Sequence, residues 1–147
     1  MSSFETGHIG LSVVDLARSK EFYRQIFGFE LKGESADAER KFAMLAQDGK
    51  LVLTLWQQSS TQFSRETAGL HHLSFQAKSV EQIKSIEANL REKGVKLIYD
   101  GIVLHSEGAK SGGIFFEDPD GIRLEIFTTE GLGEFSAPES KTACGFF

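Results

Sequence analysis

Few side chains in this sequence are suited to metal or acid–base work: four histidines, a single cysteine and scattered carboxylates. His8 opens the run His8-Ile9-Gly10-Leu11-Ser12-Val13, and His72 opens His72-Leu73-Ser74-Phe75-Gln76-Ala77. Both runs alternate polar and apolar residues, as a strand with one buried face should, and they align position by position. Side chains alternate along a strand, so His8, Gly10 and Ser12 share one face, and His72, Ser74 and Gln76 share the matching face of the second run. His71 then points the other way, which selects His72. Glu125 sits in the apolar run Ile122-Arg123-Leu124-Glu125-Ile126-Phe127, on a face with Arg123 and Phe127. A buried carboxylate is costly unless it is paired, protonated or bound to metal. A cation held by His8, His72 and Glu125 would supply the partner and keep open coordination positions, as catalytic sites do. The plainer alternative for Glu125 is an ion pair with Arg123 or Arg91.

The elements that would position these residues form an internal repeat. After the first run come Asp15, suited to an N-cap, the apolar series Leu16, Phe22, Tyr23, Ile26 and Phe27 at helical spacing, and Gly28 to end the helix. In the second copy Ser79 and Gln82 resemble a capping box, Val80, Ile83, Ile86 and Leu90 form one stripe, and Gly94 closes. Three strands are expected after each helix: Phe29 to Lys32, Lys41 to Ala46 and Lys50 to Trp56, then Val95 to Tyr99, Gly113 to Glu117 and Ile122 to Thr128. Asp118-Pro119-Asp120-Gly121 has the residues of a tight turn, with Asp48-Gly49 in the same place of copy one. The reading is an α+β fold of two βαβββ modules with curved four-stranded sheets. Residues 1–128 form one domain, with module one at 7–56, a linker at 57–69 and module two at 70–128. A tail follows at 129–147.

The chain has 147 residues, enough to bury a core without disulfides, and its one cysteine, Cys144, lies in the tail as a free thiol. No apolar run is long enough to span a bilayer and the N-terminus has no leader pattern, so a cytoplasmic protein is expected. The net charge of −5, with cations interspersed among acids, leaves no basic face for nucleic acid. Thirteen phenylalanines predict a bulky aromatic interior.

The segments His8-Ile9-Gly10-Leu11-Ser12-Val13-Val14-Asp15-Leu16 with Phe22-Tyr23, Gly69-Leu70-His71-His72-Leu73-Ser74-Phe75, and Phe116-Glu117-Asp118-Pro119-Asp120-Gly121-Ile122-Arg123-Leu124-Glu125 resemble the vicinal oxygen chelate superfamily. That group includes glyoxalase I, extradiol dioxygenases, methylmalonyl-CoA epimerase, fosfomycin-modifying transferases and bleomycin-binding proteins. The resemblance implies one divalent ion (Fe, Ni, Zn, Mn or Co) on His8, His72 and Glu125, and a small organic substrate that chelates it through neighbouring oxygens. Glyoxalase I has a fourth protein ligand on the last strand of its first module. Aligning Asp48-Gly49 with Asp120-Gly121 puts Leu53 there, and leucine cannot coordinate. Ring-cleaving dioxygenases place a tyrosine where this chain has Phe115, and an upstream histidine that His105 roughly matches. His105 reads as an exposed loop residue, with acid–base work as its alternative role, and Glu125 is the other catalytic candidate. Leu53, Phe115 and Phe127 are expected as apolar walls of the substrate site. A fosfomycin-type site would need cations, and only Lys141 follows Glu125. A glyoxalase-like lyase or isomerase is slightly favoured, with a dioxygenase and a metal-free protein that sequesters an aromatic drug or metabolite as alternatives. Small members of the superfamily commonly dimerise, so a homodimer is expected.

Overall fold

The structure, a computed structural model, describes residues 2–138. Cys144, Lys141 and the end of the expected tail lie outside the described residues. The chain divides into two compact units, 1–63 and 64–147, and the boundary falls inside the expected linker. Each unit holds one βαβββ module.

The first runs β1 (Ile9–Val13), α1 (Leu16–Phe27), β2 (Glu30–Asp37), β3 (Arg40–Gln47) and β4 (Lys50–Gln57), with sheet order β1-β4-β3-β2. Helix α1 begins and ends as its residue types dictate. The Asp15 carboxylate accepts from the Arg18 amide at 3.0 Å, and Gly28 takes the left-handed conformation, φ 73°, that ends the helix. Leu16, Tyr23 and Ile26 bury the helix face that packs on β3 and β4. Beneath it lie Leu11, Val13, Ala43, Leu45, Leu53 and Leu55, all buried. Parallel pairing of Ile9 with Leu53 and Leu11 with Leu55 keeps these apolar residues on one face and turns Gly10, Ser12, Thr54 and Trp56 to the other.

The second unit repeats this with β5 (Leu73–Gln76), α2 (Val80–Glu92), β6 (Val103–Leu104), β7 (Gly112–Glu117) and β8 (Arg123–Thr128), ordered β5-β8-β7-β6. Ser79 caps α2 through its hydroxyl, and the Gln82 side chain reaches back to the Lys78 amide at 2.8 Å. The Asp118 carboxylate holds the turn before β8. Its Oδ1 accepts from the Asp120 and Ile122 amides at 2.8 and 2.9 Å, both buried bonds.

The edge strand differs from expectation. Residues 95–99 make a single bridge, Leu97 to Phe116, and the ladder resumes only at Val103 and Leu104 against Gly113 and Gly112. The break is at Asp100-Gly101, where Gly101 adopts φ 107°, which side-chain-bearing residues avoid. Gly113 permits close strand approach, since a Cβ there would lie 2.1 Å from the Ile126 carbonyl oxygen. The first part of the tail belongs to this unit: Leu132 is fully buried, and the Leu104 amide donates to the Ser136 carbonyl at 3.0 Å. Among the described residues no helix is long and apolar enough to cross a membrane.

Candidate functional site

The second unit brings three of the chemically capable residues together around Glu125. Its parallel register pairs Ser74 with Glu125 and Gln76 with Phe127, and the antiparallel register pairs Phe115 with Glu125. These residues share the sheet face away from α2, as the strand parity requires. Glu125 is 5 % exposed. One oxygen, Oε2, lies 3.4 Å from His72 Nε2, and the other, Oε1, is hydrogen-bonded to His105 Nε2 at 2.6 Å. An ionised carboxylate only accepts, so with Glu125 ionised the contact takes the His105 tautomer with a proton on Nε2. The second His105 nitrogen, Nδ1, lies 2.8 Å from the Ser111 hydroxyl. Phe115 and Phe127 flank the imidazole, with ring centroids 6.2 and 6.0 Å away.

The ion pairs that offered a plainer account of Glu125 go elsewhere. Arg123, itself buried, donates from Nε to the His71 carbonyl at 3.0 Å. Arg91 pairs with Glu87 and Asp100. Burial lowers the Arg123 pKa, helped by nearby Arg65 and opposed by Glu117. His71 and His72 precede β5 rather than lying within it, so strict alternation does not separate them: their Nδ1 atoms are 2.8 Å apart. Burial holds the His71 pKa below its ordinary value, and Arg123 and His72 add to the effect.

His105 is not the exposed loop residue that its surroundings suggested. It follows β6 directly, and its side chain is only 25 % exposed. Phe115 is fully buried, and Phe127 is partly open on the same face. Leu53 is corrected: it is fully buried beneath α1 and lines no open face. The register places Thr54, not Leu53, at the counterpart of Glu125, because Gly10 pairs with Thr54 as Ser74 pairs with Glu125. The one-residue offset is a bulge in β4, where Leu45 pairs with Leu53 but Ala46 with Leu51. Counting forward from Asp48-Gly49 misses it. The Thr54 hydroxyl accepts from the Trp56 indole at 3.0 Å. His8 belongs to the other unit, exposed, one residue before β1, as His72 stands before β5.

Metal bonds of about 2.0–2.2 Å to imidazole and carboxylate put neighbouring ligand atoms of one ion roughly 3 Å apart. The His72 and Glu125 atoms, 3.4 Å apart, suit such an ion as two of its ligands. Among the described residues no group of three or more His, Cys, Asp or Glu side chains is gathered to hold a metal. The fit therefore extends to two donors within one unit.

The chain belongs to the Glyoxalase/Bleomycin resistance protein/Dioxygenase superfamily, whose family model matches residues 6–126. It is 28 % identical over 137 residues to a trivalent organoarsenical cleaving enzyme of Bacillus sp. (strain MD1), covering 93 % of this chain and 81 % of the relative. It is 29 % identical to the catechol-2,3-dioxygenase of Bacillus subtilis over 86 % of this chain, and that match spans only 43 % of the dioxygenase. Solved structures share the fold. A glyoxylase/bleomycin resistance protein/dioxygenase domain from Frankia sp. EAN1pec superposes with a TM-score of 0.76 at 24 % identity, over 88 % of this chain and 100 % of that one. A mutant form of the fosfomycin resistance protein FosX from Listeria monocytogenes, complexed with Mn(II) and 1S,2S-dihydroxypropylphosphonic acid, has a TM-score of 0.66 at 23 % identity, over 90 % of this chain and 97 % of that one.

Proposed function

We propose that the protein is a metal-dependent enzyme whose small organic substrate chelates the ion through two neighbouring oxygens, with His72, Glu125 and His8 as protein ligands. The observation that carries this reading is Glu125, a buried carboxylate whose two oxygens face the imidazoles of His72 and His105. Such a carboxylate needs a positive partner, and a divalent cation between it and His72 meets that need. A bound ion of this kind supplies Lewis-acid stabilisation of negative charge developing on substrate oxygen.

The chain's own residues would do the rest. His105 holds Glu125 through its Nε2 proton, while its Nδ1 faces a hydroxyl that can either donate or accept. His105 can therefore hold or release a proton at Nδ1 without losing a partner, which suits acid–base work beside the substrate. Phe127, partly open on this face, supplies an apolar wall, and Phe115 backs it. These features favour a lyase or isomerase that moves a proton on a chelated substrate.

Ring cleavage of a catechol is the second reading, favoured by the dioxygenase relative and by the two-histidine, one-carboxylate ligand set. Against it, position 115 offers a phenylalanine that cannot donate a proton. Cleavage of a trivalent arsenical fits less well, since trivalent arsenic seeks thiols and Cys144 is the chain's only cysteine. Metal-free sequestration of an aromatic compound would leave the Glu125 cluster without a purpose. The test is to load the purified protein separately with Fe(II), Mn(II), Ni(II) and Zn(II), then assay it with catechols in an oxygen electrode and with α-hydroxycarbonyl substrates by proton exchange into D₂O. Exchange without oxygen uptake is expected. Oxygen uptake with Fe(II) and a catechol would establish ring cleavage instead, and neither activity in any metal form would refute the enzyme reading.

A further inference from the structure

We propose that Ser111 is a positioning residue: acting through His105, it holds one oxygen of Glu125 and so keeps the other presented to His72. This rests on the metal reading above. Three contacts make a chain, Ser111 Oγ to His105 Nδ1 at 2.8 Å, His105 Nε2 to Glu125 Oε1 at 2.6 Å, and Glu125 Oε2 to His72 Nε2 at 3.4 Å.

The backbone around His105 is held on both sides. The His105 amide donates to the Ser111 carbonyl at 3.0 Å and closes the loop 106–110, while the preceding Leu104 pairs with Gly112 and bonds Ser136. What the backbone leaves open is the rotation of the imidazole about its last side-chain torsion. The flanking Phe115 and Phe127 rings limit its tilt but cannot distinguish one ring nitrogen from the other. The two polar partners can, Ser111 at Nδ1 and Glu125 at Nε2, and Ser111 holds the Nδ1 end so that Nε2 stays aimed at Glu125. Outer hydrogen bonds of this kind orient a ligating carboxylate and tune its affinity for metal.

The test uses the full-length chain and Co(II), titrated against a competing chelator. Ser111→Ala is expected to weaken Co(II) binding up to about 10-fold, the lower end of the effect of losing a partner bonded directly to a ligand, because Ser111 acts one bond further out. Ser111→Thr, which keeps the hydroxyl, is expected to restore most of the loss, and Ser111→Cys, a weak hydrogen-bond former of similar size, to fall with alanine. Nitrogen-15 NMR of the metal-free chain should find a slowly exchanging His105 Nε2 proton in the parent and in Ser111→Thr, and a faster-exchanging one in Ser111→Ala, where the ring is no longer held against Glu125. Circular dichroism separates these effects from unfolding. Equal Co(II) affinity and an unchanged exchange rate of the His105 Nε2 proton in Ser111→Ala would overturn the proposal. A parent that binds no Co(II) would overturn the metal reading itself, and the NMR comparison would still decide whether Ser111 sets the His105 ring.

Discussion

Replacing Asp118 by alanine should cost more stability than its position in a surface turn suggests. Its Oδ1 is the acceptor for two buried amides, those of Asp120 and Ile122, at 2.8 and 2.9 Å. Asp118 is 5 % exposed, so water cannot readily replace the lost oxygen. A hydrogen bond to a charged group contributes about 1.5–3 kcal/mol, and the two share one acceptor and are not fully additive, so a loss of about 2–4 kcal/mol is expected. For a chain of this size that is a fall in melting temperature of about 6–12 °C. Asp118→Asn keeps an acceptor oxygen in the same place and should lose about half as much or less. Urea unfolding followed by far-UV circular dichroism measures both variants. The single tryptophan, Trp56, lies in the other unit, so its fluorescence alone would report on the wrong sheet. Amide hydrogen exchange at Ile122 adds a local reading, because this turn sets the entry of β8 and with it the placement of Glu125. An alanine variant that loses less than about 1 kcal/mol, or an asparagine variant as damaged as alanine, would refute the reasoning.

Leu53→Ala should destabilise by about 2–5 kcal/mol, as core truncations do, and leave metal affinity unchanged, whereas Thr54→Val, which removes the acceptor of the Trp56 indole, should cost about 1 kcal/mol; urea midpoints and Co(II) titration compare them. Gly28→Ala forces a side chain into the left-handed conformation, φ 73°, and should cost about 1–2 kcal/mol in the same unfolding assay. If the protein is a homodimer whose sites draw on both chains, mixing His8→Ala with Glu125→Ala protein should return about a quarter to a half of the metal-binding capacity after subunit exchange. No recovery despite demonstrated exchange would mean that each chain builds its own site.

The repeat made most of the fold legible. Caps at Asp15 and Ser79, the stops at Gly28 and Gly94, and the turn at Asp118 are local chemistry, and the structure uses each where its residue type requires. Two features depend on nonlocal pairing and escaped a local reading. The bulge in β4 shifts the alignment by one residue and moves the Glu125 counterpart from Leu53 to Thr54. The strand expected over Val95 to Tyr99 makes a single bridge, and the edge pairing falls instead to Val103 and Leu104, beyond Asp100-Gly101. In the site, alternation placed Glu125 on the face of β8 away from α2 but did not separate His71 from His72, and the sequence did not show that His105 would bond Glu125 or that Ser111 would bond His105. Those contacts depend on how β6 is carried back to the edge of the sheet, which a local pattern does not encode.

The central claim is that His72 and Glu125 hold a divalent ion, and it is tested by equilibrium dialysis with elemental analysis of the parent, His72→Ala and Glu125→Gln. The account predicts about one ion per chain in the parent, and little in either variant at the same free metal concentration, with both variants folded by circular dichroism. A His72→Ala protein that binds metal as well as the parent would contradict it.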